Sequence, residues 1–214
     1  MPCAKIFCCQ HPAHEQPNYP PWQFMKYRLI TFRHNKSEVR LLTMENTTSG
    51  STEPSFDPRA FRAALGQYAT GVAIVTALDD TGRPVGMTIN SFASVSLDPP
   101  LVLWSVQMNT TSSQAFRKCS RFSVNVLAAD QQDTAMRFAR TDENKFLDFP
   151  VDTGLGGVPL IPGALATFEC ATWAVYPGGD HEILVGKVEN LITRPGAALG
   201  FHQGKFLTLE APQS

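Results

Sequence analysis

A mainly β protein with short helices, its strands arranged as an antiparallel barrel, closed or partly open, is what this sequence predicts. Three observations carry that expectation. Six or so runs rich in β-branched and aromatic residues follow one another down the chain. Turn residues such as Asp79-Asp-Thr-Gly-Arg83 and Gly178-Gly-Asp180 separate several of them. The helical patterns between them are too few and too short for the strand and helix alternation of a doubly wound sheet.

The first part of the chain stands apart. Up to about residue 42 there are prolines at 12, 17, 20 and 21, scattered basic residues and most of the histidines, without sustained periodicity. A polar stretch, Glu45 to Pro54, then has the composition of a linker. Residues 1–55 are expected to be a poorly ordered extension and linker, with Met44 as the natural start, and residues 56–210 a single domain. Cys3, Cys8, Cys9, His11 and His14 match no paired metal-ligand spacing, so no metal is expected there.

Order begins where Asp57 can cap a helix, Pro58 suits its first position, and Phe61, Leu65 and Tyr68 share a face. A strand from Val72 to Leu78 and a second from Val85 to Val95 flank the Asp79–Arg83 turn as a hairpin, and Asp98-Pro-Pro100 precedes a strand from Leu101 to Val106. A short helix from Ser112 or Ser113 to Lys118 leads to a strand over Phe122–Leu127, and Asp130 caps a helix to about Arg140. After a Gly- and Pro-rich loop to about Ala164, strands are expected at Ala166–Tyr176, Glu182–Thr193 and Phe201–Leu209.

Composition narrows the function. The 18 Lys and Arg against 19 Asp and Glu give a net charge of −1, so no global field draws the protein to nucleic acid or an anionic membrane. No apolar run approaches the roughly 20 residues of a membrane-spanning helix. Five cysteines, three of them within the first nine residues, form no disulfide framework, and no secretory signal opens the chain. A reducing cytoplasm is the expected location, with Cys119 and Cys170 as small core hydrophobes.

The densest polar cluster is Thr88-Ile-Asn-Ser-Phe-Ala-Ser-Val-Ser96, uncharged hydroxyls and one amide. Such a strip can hydrogen-bond the polar edge of a flat heterocycle, or it can be an edge strand whose Ser and Thr face water. Thr88 and Asn90 share one face of a strand. Asn109-Thr-Thr-Ser-Ser113 lies between a strand and a helix, either as a phosphate seat or as ordinary capping by Ser112 or Ser113. His181 directly follows a tight turn at a barrel rim, where it can reach a ligand or stand as an exposed turn histidine. His202 and Lys205 occupy a similar position and read as solvated turn residues. No Gly-x-Gly-x-x-Gly opens a helix, and there is no Walker loop, Gly-x-Ser-x-Gly elbow or Cys-x-x-Cys pair.

The run from Gly86 to Pro100, with Tyr68-Ala-Thr-Gly-Val72, Phe122-Ser-Val-Asn-Val-Leu127, Phe168-Glu-Cys170 and Gly179-Asp-His181, resembles the signature of the short-chain flavin reductases. These are the reductase components of two-component aromatic monooxygenases, built on an FMN-binding split barrel. The likeness covers about Phe56 to Leu209. It implies an NAD(P)H-dependent reductase taking FMN or FAD and NADH or NADPH, working as a homodimer with a separate flavin-dependent oxygenase. Carried over by position, it implies flavin contacts from Thr88, Asn90, Ser91, Ser94, Val95, Ser96 and Ser105, phosphate contacts near Ser112 and Ser113, and His181 beside the nicotinamide. Ile89 stands where the family commonly has Ala. Hydride would then pass directly between the cofactors without a protein acid or nucleophile, in a pocket with few charged anchors. A flavin-binding or sensing protein without turnover is the alternative. An oxidase of the pyridoxamine-phosphate type would require more basic ligands on its strands.

Overall fold

The apolar runs become twelve strands and three α-helices in the computed structural model, which describes residues 57–108, 112–141 and 144–211. All of these fall within one unit, Thr52–Ser214. The expected extension and linker, residues 1–55, lie outside the described residues, as do Met44 and the cysteines and histidines of the first fourteen positions.

Seven strands build the main sheet, all pairings antiparallel: β3 (Pro84–Ile89), β2 (Ala73–Leu78), β6 (Arg121–Val126), β9 (Ala166–Gly178), β10 (His181–Thr193), β5 (Pro100–Gln107) and β4 (Ala93–Leu97), in that spatial order. A three-stranded sheet joins β1 (Thr70–Gly71), β11 (Ala198–His202) and β12 (Lys205–Leu209). The segment expected to be a plain loop carries a short ladder of β7 (Asp152–Thr153) and β8 (Pro159–Leu160).

Two predicted strands prove to be pairs. The run Val85–Val95 is divided: β3 ends at Ile89 on one margin of the main sheet, and β4 begins at Ala93 on the other. In a flat seven-stranded sheet those margins would stand about 29 Å apart at about 4.8 Å per strand. Four residue steps reach only about 14 Å. The sheet is therefore strongly curled. Its margins form no ladder with one another among the described residues, so the fold is mainly β with short helices but without the closed ladder that the sequence allowed. Ser91 crosses the gap instead: its Oγ accepts the Ser105 backbone N–H (3.1 Å) and donates to the Ser105 carbonyl (3.3 Å). The run Phe201–Leu209 is likewise folded back on itself, at Gln203 and Gly204, whose φ values of 48° and 78° suit a two-residue hairpin turn. Glutamine in place of the customary Asn or Asp hides that turn from the sequence.

The helices are α1 (Pro58–Leu65), α2 (Ser113–Lys118) and α3 (Gln132–Ala139). Asp57 caps α1 as expected, its carboxylate accepting from Arg59 N at 3.2 Å. Asp130 does not cap α3: a 3₁₀ turn, Ala129–Gln131, precedes the helix, and the Gln131 amide accepts from Ala128 N (3.0 Å) and donates to the Pro162 carbonyl (2.8 Å). A glutamine long enough to bridge the two segments takes the role that spacing gave to the aspartate. No helix among the described residues is long and apolar enough to cross a membrane.

β2 is buried on both faces, which explains its unbroken apolar run. One face joins Trp104, Phe122 and Phe116, the indole meeting the two rings edge-on at 5.8 and 5.0 Å. The other joins Leu127, Leu199 and Phe138, with Phe146 and Phe149 set edge-on against Phe138 at 5.0 and 5.2 Å. Among the polar groups beneath these layers is Asn125, wholly buried on β6. Cys170 is buried as predicted, while Cys119 is only half-buried.

Gly186 on β10 lies where a side chain has no room: a Cβ there would run into the Phe122 ring and stand 2.9 Å from the Cys170 Cβ. Gly186→Ala is expected to cost about 1–3 kcal/mol of stability by overpacking, read as a lower denaturant midpoint.

Candidate functional site

The polar strip lies on and around β4, the least supported strand of the main sheet. Among the described residues β4 pairs only with β5, and its register slips between Ser94 and Ser96, so that Val95 forms a bulge. Bulges re-aim side chains and interrupt pairing, a device common beside binding sites. Val95 is 49% exposed, and Leu97, at the tip of the β4–β5 turn, is 95% exposed.

The side chains divide by commitment. The Thr88 hydroxyl donates to the Ala135 carbonyl of α3 at 2.6 Å, tying β3 to that helix. Ser91 is spent on the Ser105 backbone, as above. Ser113 is buried and donates to the Met108 carbonyl at 2.8 Å. Asn90, Ser94, Ser96, Ser105 and Ser112, by contrast, make no side-chain hydrogen bond to a described residue. The strip therefore offers an amide and several hydroxyls on a surface with apolar neighbours, a donor and acceptor set that suits the polar edge of a planar heterocycle.

Register places His181 on the face of Ser105, whereas Ser94, paired with Val102, projects to the other face of β5. Directly paired residues project to the same face, so the pairs Ile183↔Ser105 and His181↔Gln107 put His181 and Ser105 on one side of the sheet. They stand one strand apart and two residues along, about 8 Å by strand geometry. The His181 Nδ1 is 2.7 Å from the Asp180 carboxylate, a contact between two solvent-exposed side chains that leaves Nε2 as the ring nitrogen without this partner. The hydrogen bond from His181 holds the Asp180 carboxyl below its usual range. Next along β10, Glu182 forms a two-point ion pair with Arg117 of α2.

Residues 109–111 of the expected phosphate seat lie outside the described residues. Ser112, at the start of α2, opens onto a groove that also holds Arg83, Lys118, Lys145 and Phe146. The expectation of few charged groups thus suits the strip but not this groove. Lys145 donates to the carbonyls of Gly86 (3.0 Å) and Phe138 (3.1 Å), and Arg83 pairs with Asp79, so both also hold the groove's walls. No sequence spacing connects these cations, since a hairpin turn, a helix end and a distant loop supply one each. Asp79 itself is lowered to about 2, first by the Thr81 hydroxyl and then by the Arg83 backbone N–H.

His202 is half-buried and Lys205 exposed at the β11–β12 turn, in the three-stranded sheet and not in the one that carries the strip. Burial raises the Cys119 thiol and pushes Cys170 up to about 12, so both are protonated near neutrality.

Residues 65–210 match the family model described as a flavin reductase like domain. An FMN reductase (NADH) of Agrobacterium fabrum is 48% identical over 148 residues, 69% of this chain and 84% of that protein. The reductase component of a flavin-dependent trigonelline monooxygenase from Acinetobacter baylyi is 42% identical over 150 residues, 70% of this chain but 48% of that protein, of which the chain spans about half. Among solved structures, an NADH:FAD oxidoreductase of Streptomyces globisporus in complex with NAD and FAD fragments aligns with a TM-score of 0.66 at 38% identity, covering 72% of this chain and 96% of that one.

Proposed function

The chain belongs to the flavin reductase-like family, and on that premise we infer that it is an NAD(P)H:flavin oxidoreductase supplying reduced FMN or FAD to a separate flavin-dependent monooxygenase. The observation that carries the reading is the strip of uncommitted hydroxyls and amide on a one-sided, bulged strand within the matched region. Asn90, Ser94, Ser96 and Ser105 are assigned to the flavin's polar edge, with backbone groups freed by the bulge at Val95. Thr88 and Ser91 act from behind, holding β3 and β5 in place. Ser112 and Ser113 take the phosphate end, and His181 contacts the nicotinamide. Hydride passes between the two bound cofactors, and the chain contributes orientation and the exclusion of water.

The described fold is assigned to the FMN-binding split barrel, with the reductase domain over residues 56–210. A cytoplasmic homodimer is the proposed working form. Its support is apolar surface that the monomer leaves uncovered: Trp173, Tyr176, Leu191 and Ile192 on β9 and β10, and Leu65 and Tyr68 at α1.

The test is NADH and NADPH consumption followed by absorbance with FMN, FAD and riboflavin in excess. Turnover with at least one flavin is expected. Protein that binds flavin yet oxidises neither nucleotide would be a flavin-binding or sensing protein instead.

A further inference from the structure

We propose that Arg117 is a positioning residue for His181, acting through its two-point pair with Glu182 to hold the β9–β10 turn against α2. The proposal rests on the assignment of His181 to the nicotinamide. Arg117 sits in the last turn of α2, and its guanidinium reaches β10: Nε bonds Glu182 Oε2, and Nη2 bonds Oε1 at 2.6 Å. A fork matched to a carboxylate fixes direction as well as distance. The Glu182 side chain is only 15% exposed, so its carboxylate is largely withdrawn from water and depends on the guanidinium for its partner.

That strand begins with His181. A first residue of a strand is where pairing frays most readily, and Arg117 adds a side-chain restraint to the ladder pairs of His181 with Gly178 and Gln107. The same guanidinium contacts the Met108 sulfur (3.6 Å), and the Met108 backbone N–H donates to the Asp180 carbonyl (3.0 Å), closing a ring of contacts around the turn. Asp180 in turn contacts the imidazole. Removing Arg117 leaves Glu182 partly buried without its partner and loosens the turn, while the β4 strip is untouched. The binding energy lost is then that of the nicotinamide alone.

The experiment compares R117A, R117K, E182Q, H181A and the H181A/R117A double variant by steady-state kinetics, flavin titration and melting curves. R117A and E182Q are expected to raise the NADH KM about five- to tenfold with kcat little changed, the pattern of lost ground-state binding. Flavin Kd should stay within about twofold, and R117K, with charge but no fork, should fall between. In the H181A background, R117A should add less than about twofold, because the effect passes through the histidine. Fully multiplying effects in the double variant would overturn the proposal, as would equal losses of flavin and NADH affinity. If R117A proves unfolded by its melting curve, E182Q decides alone. If H181A raises the KM and R117A does not, only the positioning role falls; if H181A itself leaves the KM unchanged, the assignment of His181 falls with it.

Discussion

Replacing Asn125 with alanine is expected to lower the melting temperature by about 10 °C. The side chain is completely buried and makes four hydrogen bonds: its Nδ2 donates to the Ile74 carbonyl and the Ser123 hydroxyl, both at 3.0 Å, and its Oδ1 accepts from Ile161 N (3.0 Å) and the Thr167 hydroxyl (3.3 Å). One amide thus joins β2, β6, β9 and the segment that follows β8. Truncation strands the Ile161 N–H and the Ile74 carbonyl away from this partner in a low-dielectric interior, and an orphaned group there costs about 1–3 kcal/mol. Adding the void gives a total of about 3–5 kcal/mol. A calorimetric midpoint within about 2 °C of the parent would show that the network is replaceable.

For His181→Ala, a rise of about tenfold in the NADH KM is expected, equivalent to the loss of about 1.4 kcal/mol of nicotinamide binding. Flavin affinity should move by less than about twofold, since the strip on β4 and β5 has its own anchorage. The separation of the two effects is the informative quantity. The Asp180 carboxylate contacts the ring at Nδ1, and removing the imidazole removes that surface from the turn. Full activity at low NADH in this variant would remove His181 from the nicotinamide site.

Much of the fold was readable from pattern. The β2–β3 hairpin, α1 with its aspartate cap, β6 and the long β9–β10 pair all follow from alternation and turn chemistry. The candidate strip and His181 stand out in the sequence for a local reason: short polar side chains inside a β pattern and a histidine on a tight turn. What stayed hidden depends on distance in space. Residues 88–96 keep a strand-like spacing throughout, and only tertiary pairing reveals that the chain jumps from one sheet margin to the other at Asn90. Ser123 and Asn125 alternate with valines as solvent-facing residues would, yet both are buried because a further segment packs over that side of β6. The cations around Ser112 and the Arg117 pair to Glu182 join residues dozens of positions apart, and no periodicity encodes them.

The single ladder that secures β4 sets a clock as well as a shape. Local opening of a margin strand requires far fewer broken contacts than opening of the interior, and departure rates, more than encounter rates, distinguish related complexes. On the proposal that the flavin sits on this strip, the expected consequence is a short dwell, with fresh flavin replacing it between turnovers. Such a protein behaves as a dispenser of a diffusible electron carrier, and the concentration of that carrier in the surroundings, not its permanent retention, governs throughput.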